Sequence, residues 1–326
     1  MKQRILTLAI PSYNVSQYLG ETLDSLLRCK HIESLEVIVV DDGSKDNTNE
    51  IVCGYKSSFS GNLIVISKEN GGHGSTVNAA LEVATGKYFS VLDGDDWVEE
   101  SALDELLTFM DDRNSDVIIT GHYRDFMDVD KHLYNSYEEE CGFECGMEYV
   151  WKKRYRFPMT DICYNTQLLK TIGFKMQHHT FYVDNEFCAL PFAYVKSICF
   201  FSKGYYHYRL GNPNQSVSVG NLVDKIDHHI RVFENIYRQT EGLPLGKFNQ
   251  KYVDHRLSGL AKTILVIFYV HFFDREEGRS KGDEYYMKIK REFPRVEADC
   301  QRRVFIFRLM NRYPIIKNLL KKVCNY

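Results

Sequence analysis

The chain has 326 residues, a formal net charge of −3, 44% hydrophobic residues and 26% charged residues. That length is too great for one minimal domain and suits one large domain with an extension. The composition excludes a low-complexity or solenoid protein, and no nucleic-acid partner is expected. The opening MKQRILTLAIPSYN stops being apolar at Pro11 and lacks a small-residue cleavage site, so it reads as a strand and not as a signal peptide. The longest apolar stretch, Thr263 to Phe273, is too short to span a bilayer. Nine scattered cysteines fit reduced thiols in a cytosolic protein. Charge is segregated along the chain. From Gln301 onward there are seven basic residues and no acidic one, against 34 basic and 44 acidic residues before it.

In chain order, Arg4 to Ile10 is an apolar run that ends in PSYN, a strand followed by a turn. Ser16 to Leu27 carries apolar residues at helical spacing. Leu35 to Val40 (LEVIVV) is a continuous β-branched run, the pattern of a strand covered on both faces. DDGSKDNT follows as a turn, with Ser44 or Asp46 placed to cap a helix through Val52. Leu63 to Ser67 is a third strand, ENGGHGST opens a helix over Val77 to Ala84, and Lys87 to Leu92 is a fourth strand. This alternation predicts an α/β fold with a parallel sheet and helices on both faces. In such sheets ligands bind beyond the carboxyl ends of the strands. The polar chemistry falls there: Pro11–Asn14, Asp41–Asp42, Lys68–Gly72 and Asp93–Asp96. Beyond residue 220 the chain reads as helical, over Leu222 to Gln239, His255 to Phe273 and Tyr285 to Phe293.

VLDGDDWVEE places Asp93, Asp95 and Asp96 together behind the fourth strand. Such a cluster suits a hard divalent cation, which takes one or two carboxylates and fills its other positions with phosphate oxygens and water. The alternative is a solvated turn in which an aspartate caps a helix beginning near Trp97–Glu99. Asp41 and Asp42 either cap the helix after Gly43–Ser44 or accept hydrogen bonds from a nucleotide's ring N–H or ribose hydroxyl. Tyr13 is either a stacking surface for a base or an ordinary exposed side chain. Asn70-Gly71-Gly72 offers backbone N–H groups to a phosphate, or is a plain helix-entry turn. It lacks the lysine and length of a P-loop, and no G-x-G-x-x-G follows the first strand.

Taken in order, PSYN, VDDGS, ENGG and LDGDDW resemble the motifs of the family 2 glycosyltransferases, closely over residues 4–110 and weakly to about 220. The resemblance implies the GT-A fold: a Rossmann-like, mostly parallel central sheet with helices on both faces, here followed by a C-terminal helical extension. It implies a catalytic domain over residues 1–220, and the helical pattern makes 221–326 a separate helical region. By the same resemblance Pro11, Tyr13 and Asp42 hold the nucleobase, with Tyr13 against the ring and Asp42 on a ring N–H. Asp93 reaches the ribose side. Asp95 binds Mn²⁺ or Mg²⁺ bridging the donor's diphosphate, with Asp96 a further metal candidate. YVDNEF, Tyr182 to Phe187, resembles the family's catalytic Glu-Asp segment and puts Asp184 at the general base, whereas from spacing alone Asp184 reads as a helix cap. YHYRLGNPNQSVS, Tyr206 to Ser218, is similar to the closing segment, in which Arg209 approaches the diphosphate. Val183, Gly94 and Val77 depart from the commoner acidic residue, small side chain and arginine of the family, so a basic contact to the acidic cluster is expected to be missing at Val77.

The implied reaction is inverting transfer of a sugar from a nucleotide-diphosphate donor, a UDP-sugar first, to the hydroxyl of a glycan or lipid-linked sugar. One rival is a receiver-like Mg²⁺-binding signalling domain, whose expected length is about a third of this chain. The other is a non-catalytic nucleotide-sugar-binding or scaffold protein on the same fold. In the tail, residues 301–326, Arg302, Arg303, Arg308, Arg312, Lys317, Lys321 and Lys322 flank apolar residues that include Val304, Phe305 and Phe307, and Pro314 splits the segment. Such a tail suits an anionic membrane surface. The protein is then cytoplasmic, peripheral on the inner face of a bacterial membrane, and placed for surface-polysaccharide assembly. Packing on the acidic body, or on a second subunit in a homodimer, is the alternative.

Overall fold

The computed structural model describes residues 4–211 and 219–313, with the backbone alone for 219–221. The chain divides into two compact units, Met1–Asn212 and Pro213–Tyr326.

The first unit opens with β1 (Leu6–Ser12), α1 (Leu19–Leu27), β2 (Leu35–Asp41), α2 (Thr48–Tyr55), β3 (Leu63–Ser67), α3 (His73–Val83) and β4 (Tyr88–Val91). These are the strands and helices that the apolar runs predict. All seven residues of β2 are buried, because β1 and β3 flank it and helices cover both faces. Leu6, Leu8 and Ile10 of β1 share one core with Leu19, Leu23 and Leu26 of α1. Helix α3 packs on β1 and β2, and its buried Val77 and Ala80 lie outside that core, which puts them on the opposite face. The helix starts at His73, four residues before the expected Val77. Gly72, at φ 82°, turns the chain into it where a side chain would strain the backbone.

Beyond β4 follow β5 (Trp97–Val98), α4 (Glu100–Asp111), β6 (Val117–Phe126), β7 (Lys131–Asn135), β8 (Glu144–Cys145), α5 (Met147–Lys153), β9 (Ile162–Asn165), α6 (Thr166–Thr171), α7 (Asp184–Phe187) and β10 (Ile198–Leu210). The sheet order is β3-β2-β1-β4-β9-β6-β10-β5, with β7 on β6 and β8 on β10. Strands β3, β2, β1 and β4 are mutually parallel. From β9 onward the sheet is mixed: β9 is antiparallel to β4 and β6, β10 is parallel to β6, and β5 is antiparallel to β10. The expected parallel sheet is thus the first half of a mixed α/β sheet. No pattern within residues 110–220 marked the second half, whose strands pair with partners far away in sequence.

The second unit is helical: α8 (Val219–Asp224), α9 (Ile226–Thr240), α10 (Lys247–Val266), a π-turn over Ile267–His271, α11 (Arg275–Glu292) and α12 (Pro294–Arg312). Asn311 closes the π-turn by donating to the carbonyls of Tyr269 (2.9 Å) and Arg275 (3.0 Å). Residues 301–312 are not a separate tail helix but the end of α12. Val304 and Phe307, expected on a membrane-facing stripe, are buried where α12 packs on α10 and α11, while Phe305 stays 67% exposed. The helix stops at Arg312, before Pro314. The rest of the tail, residues 314–326, and Asn212–Ser218 of the closing segment lie outside the described residues. Among the described residues no helix is long and apolar enough to cross a membrane.

Candidate functional site

The carboxyl ends of β1, β2 and β3 border an open cleft of ≈ 600 Å³, lined by Tyr13, Gly43, Lys45, Ser67, Lys68, Glu69 and Asn70. Tyr13 is 49% exposed there, and Pro11, two residues earlier, is half-buried in β1. Asp41 does not face the cleft freely. Its Oδ1 accepts from the backbone N–H of Ser44 (3.0 Å) and its Oδ2 from Asn49 Nδ2 (3.1 Å), so it holds the turn after β2.

Asp42, expected on a base N–H, has partners within the protein. It is 2% exposed, and its carboxylate accepts from Lys68 Nζ (2.6 Å) and from the backbone N–H groups of Gly71 (2.9 Å) and Gly72 (2.8 Å). Lys68 Nζ also donates to Ser75 Oγ (2.9 Å) and to the Glu69 carbonyl (2.6 Å). Asp42 and Lys68 therefore lock the glycine turn that starts α3 against the end of β2. Lys68 stands at a strand end in the sequence, and that position was the one signal that could have found it.

The acidic turn after β4 is built differently. Thr22 of α1 fastens its backbone by donating to the carbonyls of Asp96 (2.6 Å) and Gly94 (3.1 Å). A Cβ on Gly94 would meet the Pro11 carbonyl oxygen and Ser12 Oγ at 3.0 Å, which accounts for glycine there. None of the three aspartates caps a helix: β5 intervenes, α4 begins at Glu100, and its N-cap is Glu99. Asp96, expected as a metal candidate, is 1% exposed, and each of its oxygens accepts one hydrogen bond within the protein. Tyr206 Oη donates to its Oδ2 (2.6 Å) and the backbone N–H of Arg209 to its Oδ1 (2.7 Å). It serves to tie β10 to the turn. Asp93 and Asp95 are half-buried. Burial, with the charge of Asp93 added, raises the Asp95 carboxyl to about 6. Burial and the charges of Asp93 and Asp95 push Asp96 well above the usual range as well, against the pull of its two hydrogen bonds.

The positive groups at this turn come from distant segments. His73, in the first turn of α3, places Nε2 3.2 Å from Asp93 Oδ1 and so occupies the role expected to be missing at Val77, which is buried. Burial lowers the affinity of His73 for a proton, but the hydrogen bond and charge of Asp93, with Asp184 and Asp42 behind it, raise it overall. Arg209, on β10, donates from Nε to the Asp95 carbonyl (2.8 Å) and from Nη2 to Glu21 (2.6 Å). The structure thus brings Arg209 to the acidic turn.

Asp184 is exposed and is the first residue of α7, whose N-cap is Val183, so it does not cap the helix. Its charge acts on His73 and on the Tyr208 hydroxyl, which burial and then Asp93, Asp96, Asp95 and Asp184 all push upward. The segment that carries it is clamped to α3. Asn78 Nδ2 donates to the Met176 carbonyl (2.8 Å) and its Oδ1 accepts from Met176 N (2.9 Å); His179 N donates to the Gly71 carbonyl (2.6 Å). Buried Glu186 accepts from Gln177 N (2.8 Å) and Nε2 (2.6 Å). His179 (φ 48°) and Tyr182 (φ 64°) both adopt left-handed backbone within this stretch, a strain that the clamps sustain.

Two half-buried carboxylates on one turn fit a hard cation that draws its other ligands from phosphate and water. Among the described residues no group of three or more His, Cys, Asp or Glu side chains forms a complete metal site. Of the three aspartates, Asp93 and Asp95 remain partly exposed, whereas Asp96 is buried.

The profile described as Glycosyl transferase family 2 matches residues 7–181, more than half of the chain, and ends three residues before Asp184. Glycosyltransferase GlyG of Streptococcus pneumoniae serotype 4 is 26% identical over 151 residues, which are 46% of this chain and 50% of that protein. Minor teichoic acid biosynthesis protein GgaB of Bacillus subtilis is 34% identical over 114 residues, 34% of this chain and 13% of GgaB. The chain spans about half the length of the curated relatives it matches. Among solved structures, S. aureus TarS 1-349 in complex with UDP-GlcNAc superposes with a TM-score of 0.58 at 21% identity, over 91% of this chain and 92% of that one, a likeness of fold.

Proposed function

The chain belongs to glycosyl transferase family 2, and from that membership we propose that it transfers a sugar from a nucleotide-diphosphate donor to an acceptor hydroxyl with inversion. The observation that carries the reading is the meeting of four separate segments at one sheet edge: Tyr13 at the cleft, Asp93 and Asp95 at the turn, Arg209 from β10, and Asp184 within electrostatic reach of the same His73 and Tyr208.

In this mechanism Tyr13 stacks on the base, and the turn locked by Asp42 and Lys68 shapes the wall beside it. Arg209 meets the diphosphate as negative charge gathers on it. Asp184 takes the proton of the acceptor hydroxyl, whose oxygen attacks the anomeric carbon from the face opposite the diphosphate. The bond from that carbon to the diphosphate oxygen breaks, and its electron pair leaves with the nucleotide. A divalent cation, held by Asp93 and Asp95 when bound, supplies neutralisation of the diphosphate charge. A UDP-sugar is the donor we favour, as the TarS complex holds UDP-GlcNAc. Surface glycan assembly is the setting we favour, as GgaB is named for teichoic acid biosynthesis. The acceptor is then a glycan or lipid-linked sugar, and Arg302, Phe305 and Arg312, exposed on α12, face an anionic membrane.

The test is release of UDP from UDP-GlcNAc by the full chain with Mn²⁺ or Mg²⁺. Hydrolysis that stops with EDTA and in Asp95→Ala supports the reading. Tight UDP binding with no turnover on any sugar donor or acceptor would instead make the protein a non-catalytic binder.

A further inference from the structure

Cross-strand register lines up a row of flat side chains beside the acidic turn. His207 on β10 lies opposite Trp97 on β5 and opposite Tyr123 on β6, and Tyr123 lies opposite Tyr134 on β7. The opposed rings stack. Centroids are 5.0 Å apart for Trp97–His207, 4.3 Å for His207–Tyr123 and 4.6 Å for Tyr123–Tyr134, with interplanar angles of 15°, 9° and 21°. Two residues along β10, on the same face, the Arg209 guanidinium carbon lies 4.6 Å from the Trp97 ring and 5.0 Å from the Tyr18 ring. The row runs unbroken through Tyr18, Arg209, Trp97, His207, Tyr123 and Tyr134.

Hydrogen bonds hold this row in register. His207 Nδ1 lies 2.8 Å from Oδ2 of buried Asp125, whose Oδ1 lies 2.5 Å from His132 Nδ1. Tyr134 Oη accepts from the backbone N–H of Gly204 (3.1 Å). With His207 fixed, Trp97 cannot tilt away without opening a gap in the stack.

We infer that Trp97 is a positioning residue for Arg209: the stack behind it sets the plane of the guanidinium and presents that group to the donor's diphosphate. This rests on the reading of Arg209 as a diphosphate contact. An arginine brings a rotamer-rich side chain whose ordering weakens binding, and a guanidinium already held between two ring faces loses less on binding. Glu21, whose side chain is 55% exposed, holds Nη2 from the solvent side, where a phosphate oxygen can replace it.

The experiment is calorimetry of UDP and of uridine, with Mn²⁺ present, on the full chain carrying Trp97→Leu, Trp97→Phe, Arg209→Ala, and Trp97→Leu with Arg209→Ala. Trp97→Leu is expected to weaken UDP about tenfold and leave uridine unchanged, Trp97→Phe to restore most of the loss, and Trp97→Leu to cost nothing further once Arg209 is gone. An equal loss for uridine, or a full additional loss in the Arg209→Ala background, overturns the inference. Wild-type UDP affinity in Arg209→Ala refutes the diphosphate contact itself and not the stack. The Arg209 Nε–H resonance of the ligand-free chain gives a reading that needs no nucleotide. It should move in Trp97→Leu and return in Trp97→Phe, and an unmoved resonance in Trp97→Leu also overturns the inference. If Trp97→Leu does not fold, Tyr123→Leu loosens the same stack two rings back and is read in the same cycle.

Discussion

Buried acids at the two ends of the same strands are handled in opposite ways. At the amino ends of β1, β2 and β4, Glu36 is fully buried and accepts from Arg4 Nη1 (2.7 Å), Thr7 Oγ1 (2.7 Å), Thr85 N (2.7 Å) and Thr85 Oγ1 (2.6 Å). Burial pushes its carboxyl upward, yet the bonds from Thr7, Thr85 and Arg4 outweigh that and leave it below the ordinary value. At the carboxyl end of β4, burial and mutual repulsion win, and Asp95 and Asp96 stay raised. The cost of a buried charge is met inside the protein at one end and left open at the other. The first arrangement serves stability. The second suits a site whose missing charge arrives with a ligand.

The contrast breaks if activity and stability do not separate between the two ends. Asp184→Asn has the largest expected effect: transfer falls about 10²–10⁴-fold, while UDP affinity by calorimetry and the thermal midpoint stay at wild-type values. An equal collapse of UDP affinity would make Asp184 a donor ligand and not a base.

At the other end, Glu36→Ala should cost about 1–3 kcal/mol of unfolding free energy in urea, as leaving its buried donors without an acceptor does, with UDP affinity unchanged in the folded fraction. Because the folded-state pKa of Glu36 is depressed, its contribution is present above the unfolded value of about 4.3 and is lost as pH falls through the folded value. The difference between wild type and Glu36→Gln should therefore shrink in acid; a gap that widens there would contradict the assignment.

Asp95→Asn should behave in the reverse sense. A carboxyl raised to about 6 weakens the ligand-free fold once it is ionised. The variant should gain about 1–2 kcal/mol over wild type at pH 8 and nothing below about pH 4, while losing donor hydrolysis. Equal stability at both pH values would show that the turn is already compensated. The smallest effect is expected from Tyr13→Ala, which should weaken UDP and uridine alike by about tenfold, the scale of one stacked base. Wild-type uridine affinity in that variant would remove Tyr13 from the base site.

Much of this was legible in the sequence. Apolar runs at Leu35–Val40 and Leu63–Ser67 required covered strands, and the polar motifs behind them had to fall at one sheet edge. The placement of Asp93, Asp95, Arg209 and Asp184 near one another follows the motif order. Individual roles within each motif did not. In DDGS, DGDD and YVDNEF neighbouring acids look alike on paper, because a residue's type shows the charge it can carry but not how many donors reach it.

Those donors come from afar. Asp96 accepts from Tyr206 and from the backbone of Arg209, on a strand more than a hundred residues later, and Asp42 from Lys68 and the Gly71–Gly72 turn. His73 faces Asp93 because Gly72 lets α3 begin one residue after the glycine pair. The apolar stripe of residues 301–312 is likewise amphipathic by pattern, and α10 and α11 cover its Val304 and Phe307. The sequence by itself determined the strand–helix alternation and the edge at which the polar groups collect, since hydrophobic periodicity is local and survives without a partner. Tertiary structure alone decided which carboxylates are buried among donors and which stay partly exposed at the edge, since desolvation and hydrogen bonding depend on neighbours brought together only by folding.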